Sequence, residues 1–464
     1  MRKILCIALA LLLVVSISAC GKQPTGDNDA TADADASTTG VTTESTEATD
    51  SKHAFGDWKT TAQATCQQEG TQVRKCADCD YTESRSVAKT DHQLDSLNIC
   101  KTCRYVNLDP NKDVVELGVI CDKWIGAGRV GNYAWDIKIW DGKVYRGYGC
   151  YDDNTGPIKV LAYNIATQTW DITGVVDDEA IHSFTEIGGK LCTPGIDPKK
   201  DWSLGNYYVL GEKNWDQIRN IPNGIHNFKM VESNGLIFAG LGSQKKGQTV
   251  AVSKDGGKTF NYLPLYKDGN LMDLSSYKSS RTYDFIKHNG DVYALVRFEL
   301  KLGGQHVLFR YEDDKMVYVA NGYKLSTGSS ISRNYIGGNF DFNGACYVTA
   351  GSLYALTDFA DPDHYRVIPM PNKETVADAF VRDGVIYVLA TAQNRNPSTH
   401  FVDSYKTVIY KSTTGEEGSF EEVLSFDYVS SAICFDWDGT YFYIGTGQSA
   451  EKAKTGMILR AKPA

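Results

Sequence analysis

From residue 110 onward one short pattern recurs seven times: alternating apolar residues, a turn of the Asp-Gly or Asn-Gly type, then a second apolar run. Phe340-Asp341-Phe342-Asn343-Gly344, Phe380-Val381-Arg382-Asp383-Gly384 and Phe435-Asp436-Trp437-Asp438-Gly439 open three copies. Runs beginning at Ile137, Phe184, Met230 and Phe285, with turn glycines Gly142, Gly189, Gly235 and Gly290, are the other four. Each copy reads as a β-hairpin. The turn glycines stand 40 to 55 residues apart, and each interval holds two further strand-like runs, such as Ile158 to Tyr163 followed by Thr169 to Ile172. Four strands at this period describe a β-propeller blade. The expectation is an all-β chain with a seven-bladed β-propeller over 108–464, the alternative being a pair of β-sandwiches. After Gly439 only the run Gly456 to Arg460 remains, so the last blade is one strand short. Val114 to Ile120 is the run that can complete it and remove an exposed edge.

The first residues look like an address. Arg2 and Lys3 precede an apolar run from Ile4 to Val15 that is too short to span a bilayer comfortably. Ile17-Ser18-Ala19-Cys20 resembles the lipobox of bacterial lipoproteins. That resemblance implies a signal peptide over 1–19, acylation of Cys20, and attachment to the cell membrane on its extracellular side. Residues 23–52 hold almost only Thr, Ser, Ala, Asp, Glu, Gly and Asn, a composition unable to bury enough apolar surface to offset its ordering entropy. With Cys20 they read as a disordered acidic tether, 20–52. The formal net charge of −9 lacks the basic face that nucleic-acid binding needs, so no nucleic-acid partner is expected.

Five of the twelve cysteines fall between Cys66 and Cys103. Cys76-Ala77-Asp78-Cys79 and Cys100-Lys101-Thr102-Cys103 have the spacing of a four-thiolate zinc site, with His53, Cys66 and His92 as alternative ligands. The alternative is disulfides in an oxidising exterior, with Cys121 completing the odd count. The residues from His53 through Trp58, Cys66, Gly70, Cys76 and Cys79 to His92 resemble a short repeat common on surface proteins of anaerobic Gram-positive bacteria. No activity follows from that resemblance. The expectation is a zinc-ribbon-like module over 53–107, stapled by structural Zn. Cys150, Cys192, Cys346 and Cys434 read as buried core thiols. Gly126-Ala127-Gly128-Arg129-Val130-Gly131 matches a dinucleotide fingerprint, but a strand rather than a helix pattern follows, and no organic cofactor is expected.

Ser253-Lys254-Asp255-Gly256-Gly257-Lys258-Thr259-Phe260 looks like the Asp-box hairpin (the BNR repeat) of sialidases and many other propellers. The resemblance implies a structural turn on the outer part of a blade, built on Ser253, Asp255, Gly257, Thr259 and Phe260. Ser412 to Phe420 occupies the equivalent place without the Asp. Innermost blade strands run the same way along a propeller channel, so reading back from each turn glycine places Trp135, Asp136, His182, His226, Arg281, Tyr283, Asp284, Arg333, Tyr335 and Asp378 near one mouth. Ile181-His182-Ser183-Phe184 and Ile225-His226-Asn227-Phe228 repeat one another. A His pair on neighbouring blades can shuttle protons, bind a metal or hydrogen-bond a sugar. Two readings lead, with a scaffold whose outer blade edges contact other envelope proteins as a third. In the first, the mouth binds a carbohydrate, a peptide or an envelope protein. In the second, a glycoside hydrolase or lyase of sialidase-like type uses the His pair with Asp136, Asp284 or Asp378. Against the second, the early Phe-Arg-Ile-Pro type motif of sialidases is absent, and convergence of the His and Asp groups in one mouth is what would favour it.

Overall fold

The computed structural model describes residues 53–118, 130–150, 155–198, 202–243, 245–301, 303–322, 325 and 337–463. Cys20, Cys121, Arg333 and Tyr335, with the signal and tether segments, lie outside the described residues. These divide into two compact units, residues 53–58 with Arg74–Glu83, and Lys59–Val73 with Ser84 onward. The chain is all-β, with only short 3-10 turns among its described helical segments. No helix among the described residues is long and apolar enough to cross a membrane.

In the larger unit most strands from Asp136 onward group into four-stranded antiparallel meanders. Five stand as separate sheets and two are joined in a twelve-stranded one that also takes in the short strands Asp178–Ala180, Ile196–Pro198, Leu265–Lys267 and Asn270–Leu271. The first meander is Asp136–Trp140, Lys143–Gly147, Ile158–Asn164 and Thr169–Val176. The second is Thr185–Ile187, Lys190–Pro194, Leu204–Leu210 and Trp215–Pro222. The third is His226–Ser233, Leu236–Gly242, Val250–Ser253 and Asn261–Tyr262, and the fourth is Ser279–His288, Asp291–Glu299, Gly304–Glu312 and Lys315–Asn321. The fifth is Asn339–Phe342, Ala345–Thr349, Leu353–Leu356 and Arg366–Ile368, and the sixth is Thr375–Arg382, Val385–Arg395, Val402–Ser412 and Glu421–Tyr428. The seventh is Ser430–Trp437, Phe442–Ser449, Ile458–Ala461 and, as its fourth strand, Val114–Gly118 from the other end of the unit.

The repeated turns explain the hairpins. In six of the seven, both central residues have positive φ, as in Asn234 (51°) with Gly235 (75°), the backbone that matches the twist of paired strands. The seventh differs. Asp438 turns its carboxylate onto the amides of Thr440 and Tyr441, both at 2.7 Å, and Gly439 alone has positive φ, so the connection is longer.

The seventh meander is completed as its missing strand requires. Val114, Val115, Glu116 and Gly118 pair with Ala461, Arg460, Leu459 and Ile458. Leu117 is fully buried, and its carbonyl accepts the Trp170 indole N–H at 2.7 Å, tying this strand to the first meander. Leu459, which pairs with Glu116 of the same strand, is buried too. Replacing either buried leucine with alanine is expected to cost about 2–5 kcal/mol. Urea unfolding of Leu117→Ala and Leu459→Ala checks this, and an unchanged midpoint for both would count against the N-terminal strand being part of the folded sheet.

Candidate functional site

The opening strand is a sheet edge in five of the meanders, whereas those of the third and fourth also pair with a strand outside their own meander, and edge amides need acceptors beyond their own sheet. Acidic side chains supply several of them. Asp136 Oδ2 accepts the Phe184 amide of the second meander at 2.7 Å. Asp378 Oδ1 accepts the Gly338 amide at 2.8 Å, on the approach to the fifth meander, and Oδ2 takes the Phe435 amide of the seventh at 3.3 Å. Asp436 Oδ2 accepts the Ile139 amide of the first at 2.8 Å, while Oδ1 binds Arg382 at 3.1 Å. Asn339 plays the same part between the fourth and fifth, donating to the Phe285 carbonyl at 3.0 Å. Gly338 is required by this approach, because a Cβ there would fall 1.6 Å from the Ala379 carbonyl oxygen.

These strands surround a cavity of about 300 Å³ lined by residues from all seven meanders or the segments entering them. Of the expected rim residues, Trp135, Asp136, His182, Asp284 and Asp378 line it. Trp135 and His182 are in ring contact at 5.0 Å, and the Trp135 indole donates to the Gly149 carbonyl at 2.8 Å. Asp284, almost fully buried, accepts the Phe285 amide at 2.9 Å. His226, Arg281 and Tyr283 do not line the cavity. They gather around Phe228 instead, with His226 stacked on it at 5.4 Å, Tyr283 against it at 4.6 Å and the Arg281 guanidinium 6.0 Å from its centroid.

The division follows from β-bulges. Pairing slips between Asn227 and Lys229, between Thr282 and Asp284, and between Val376 and Asp378. An extra residue at that point re-aims the side chains before it. Lys229, Asp284 and Asp378 follow the bulges, and with Asp136 each stands six residues before its turn glycine. All four line the cavity. Counting that offset through the repeat finds Lys229, which reading back to the strand start misses. Arg382 and Asp436 also line it and carry no such signal. A further buried acid, Asp178, accepts bonds from Asn206 (2.6 Å) and the Tyr208 hydroxyl, and its burial pushes its pKa up to about 6.

The turn at Ser253 is a closed hydrogen-bonded unit. Asp255 accepts the Lys258 and Thr259 amides at 3.0 and 2.9 Å and the Thr259 hydroxyl at 2.6 Å. The Thr259 hydroxyl and amide, joined by the Ser253 hydroxyl, hold the Asp255 carboxyl well below the usual range. Ser253 Oγ accepts the Gly257 amide, Phe260 is buried, and Tyr207 of the second meander donates to the Gly257 carbonyl at 3.2 Å. The Ser412 turn has the same framework without the acid: Gly415 N–H to Ser412 Oγ, Tyr347 hydroxyl to the Gly415 carbonyl, and a buried Phe420. Neither turn lines the cavity.

Cysteines and histidines come together within each compact unit. They sort by tertiary position into Cys66, His92, Cys100 and Cys103 on the one hand and His53, Cys76 and Cys79 on the other, each group with its ligand atoms within 4.8 Å of one another. Either group can hold a metal. Amides of Asp78 bring the Cys76 thiol down to about 7, and at Cys100 burial works upward but the Cys103 and Thr102 amides outweigh it, leaving about 6. Of the described cysteines, Cys150, Cys192, Cys346 and Cys434 are buried. His288, Asp341 and Cys346 form a third group, in which His288 is bonded to Asp341 at 2.6 Å between the fourth and fifth meanders.

No protein-family model matches the chain, and no curated protein does. Among solved structures it is similar to the computationally designed Ika8 protein, at 9% identity and a TM-score of 0.41 over 75% of this chain and 99% of that one. It is also similar to YCF48 bound to D1 peptide, at 13% identity and 0.42 over 78% and 99%. BamB from Moraxella catarrhalis is similar at 10% identity and 0.36 over 70% and 83%. At these scores the likeness assigns nothing to this chain, and the sheets themselves describe its fold.

Burial, with the Arg281 charge adding to it, pulls His226 down to about 4. Its unfolded value is about 6.5, so the unfolded chain binds the extra proton first and stability is lost as pH falls from about 6.5 toward about 4. A histidine-resolved NMR titration is expected to place the His226 midpoint near 4. A midpoint at 6.5 or above would contradict the burial described here.

Proposed function

We propose that the seven meanders are the blades of one closed seven-bladed β-propeller, and that this propeller is the binding domain of a lipid-anchored protein on the outer face of the cell membrane. Three observations support the closed ring. Bonds link the opening strands of successive meanders and return from Asp436 to Ile139, the first and last segments share a sheet, and one cavity is lined from all seven. The anchor rests on Arg2, Lys3, the apolar run and Cys20, and on a tether composition suited to hold a folded domain away from the membrane. Metal in the cysteine–histidine groups would act as a staple for segments with little core of their own. The Ser253 turn fits the structural part that an Asp-box plays.

The observation that carries a binding role over a hydrolytic one is the use made of the carboxylates. Oxygens of Asp136, Asp378 and Asp436 accept backbone amides from adjoining strands, which is the work of a scaffold. An acid/base residue must instead share a proton with a partner placed for it. The two repeated histidines do not meet, since His182 lines the cavity and His226 packs on Phe228. What remains facing the cavity is a set of polar and aromatic groups, among them His182, Lys229 and Phe184, around a space that fits one sugar ring or one amino-acid side chain.

The test is a glycan array, run beside a peptide array, on the chain lacking its first 20 residues, with cleavage products followed in the same wells. Saturable retention without turnover is expected, weakened about tenfold or more, about 1.4 kcal/mol, by Lys229→Ala or His182→Ala. Product formation from the retained ligand would overturn the binding role in favour of an enzyme.

A further inference from the structure

The two cysteine–histidine groups are built to the same plan. Each starts from a histidine followed two residues later by an apolar residue, His53-Ala54-Phe55 and His92-Gln93-Leu94. Each ends in a Cys-x-x-Cys-x-Tyr turn of the same length, Cys76 to Tyr81 and Cys100 to Tyr105, with the Tyr two past the second cysteine. The bridges correspond, Phe55 with Cys76 and Leu94 with Cys100. So do the bonds: Ala77 N–H to the Ala54 carbonyl at 2.7 Å and Lys101 N–H to the Gln93 carbonyl at 2.9 Å, Cys76 N–H to Tyr81 and Cys100 N–H to Tyr105. Each histidine ring is stacked on the tyrosine of its own turn, His53 on Tyr81 at 4.5 Å and His92 on Tyr105 at 4.4 Å. In each, Nδ1 of that histidine lies 3.3 Å from the sulfur of the second cysteine.

Such a construction fixes ring and thiols around a common point. Two thiolates on one tetrahedral zinc, with Zn–S near 2.3 Å, stand roughly 3.8 Å apart, and a thiolate and an imidazole nitrogen slightly less. Cys66 Sγ and Cys100 Sγ are 3.9 Å apart. The groups differ in one respect. Cys66, 26 residues before His92, gives the second group its fourth ligand. The matching position before His53 is Asp27, and no cysteine occurs from 21 to 65.

We propose that the chain carries two metal sites rather than one: a closed Cys3His zinc site at Cys66, His92, Cys100 and Cys103, and a Cys2His site at His53, Cys76 and Cys79 whose fourth position takes an exchangeable nitrogen or sulfur donor from outside the group. This goes beyond the binding role of the propeller and stands independently of it. A closed site serves structure, and a three-ligand site with an open position is the arrangement that admits outside ligands.

The test is metal analysis of the full chain purified with zinc, followed by Co²⁺ substitution. Two equivalents of zinc are expected, falling to one in Cys100→Ser and to one in Cys76→Ser. Imidazole is expected to shift the Co²⁺ absorption of the wild type and of Cys100→Ser and to leave that of Cys76→Ser unchanged. One equivalent in the wild type, lost entirely in either variant, would mean a single shared site and overturn the proposal. Absence of metal with the thiols oxidised to disulfides would overturn it as well. Two equivalents with no response to imidazole would overturn the open position. His53→Asn is a milder variant, expected to abolish the imidazole response while keeping the closed site's spectrum.

Discussion

An edge strand that faces neither water nor a partner strand has amides to satisfy, and this requirement organises the larger unit. The opening strand of each meander is paired on one side only within its own antiparallel run. Where it meets the next meander, carboxylates and an amide side chain reach across to its N–H groups or carbonyls. A carboxylate accepting backbone amides makes charge-assisted hydrogen bonds, which are stronger than neutral ones. The same acids therefore hold neighbouring sheets together and define the walls of the cavity between them. Asp136 and Asp378, candidates for acid chemistry by sequence, each accept an amide of another meander.

The fold was legible because its signals are local. Asp-Gly and Asn-Gly turns at a regular period specify hairpins, and a missing strand at the C-terminal end points to a completing strand elsewhere, which Val114–Gly118 supplies. Even the exception is local, since Asp438 binds the two amides that follow its glycine and so lengthens the turn. The site was only partly legible. Trp135, Asp136, His182, Asp284 and Asp378 line the cavity, whereas His226, Arg281 and Tyr283 lie against Phe228. A bulge shifts the alternation of a strand by one residue, and nothing in the spelling of Asn227-Phe228-Lys229 or Thr282-Tyr283-Asp284 announces it.

The cysteine–histidine groups teach a related lesson. A Cys-x-x-Cys turn is legible anywhere, because both thiols come from one tight loop. Which other ligands join it depends on how distant segments return. Here each turn takes the histidine whose following residues bridge to it, and only one takes Cys66. Sequence spacing alone pairs the two turns with each other, and the tertiary structure pairs each with its own histidine.

Native-state hydrogen exchange at the amides of Ile139, Phe184, Gly338 and Phe435 tests the central claim most directly, because each donates to a carboxylate of another meander. If these bonds join the sheets into one body, all four amides exchange only through global unfolding, with protection matching that of core strands such as Val385–Arg395. Exchange at the rate of exposed loops, with the core strands still protected, would mean that the sheets are not held together in this way and would contradict the account.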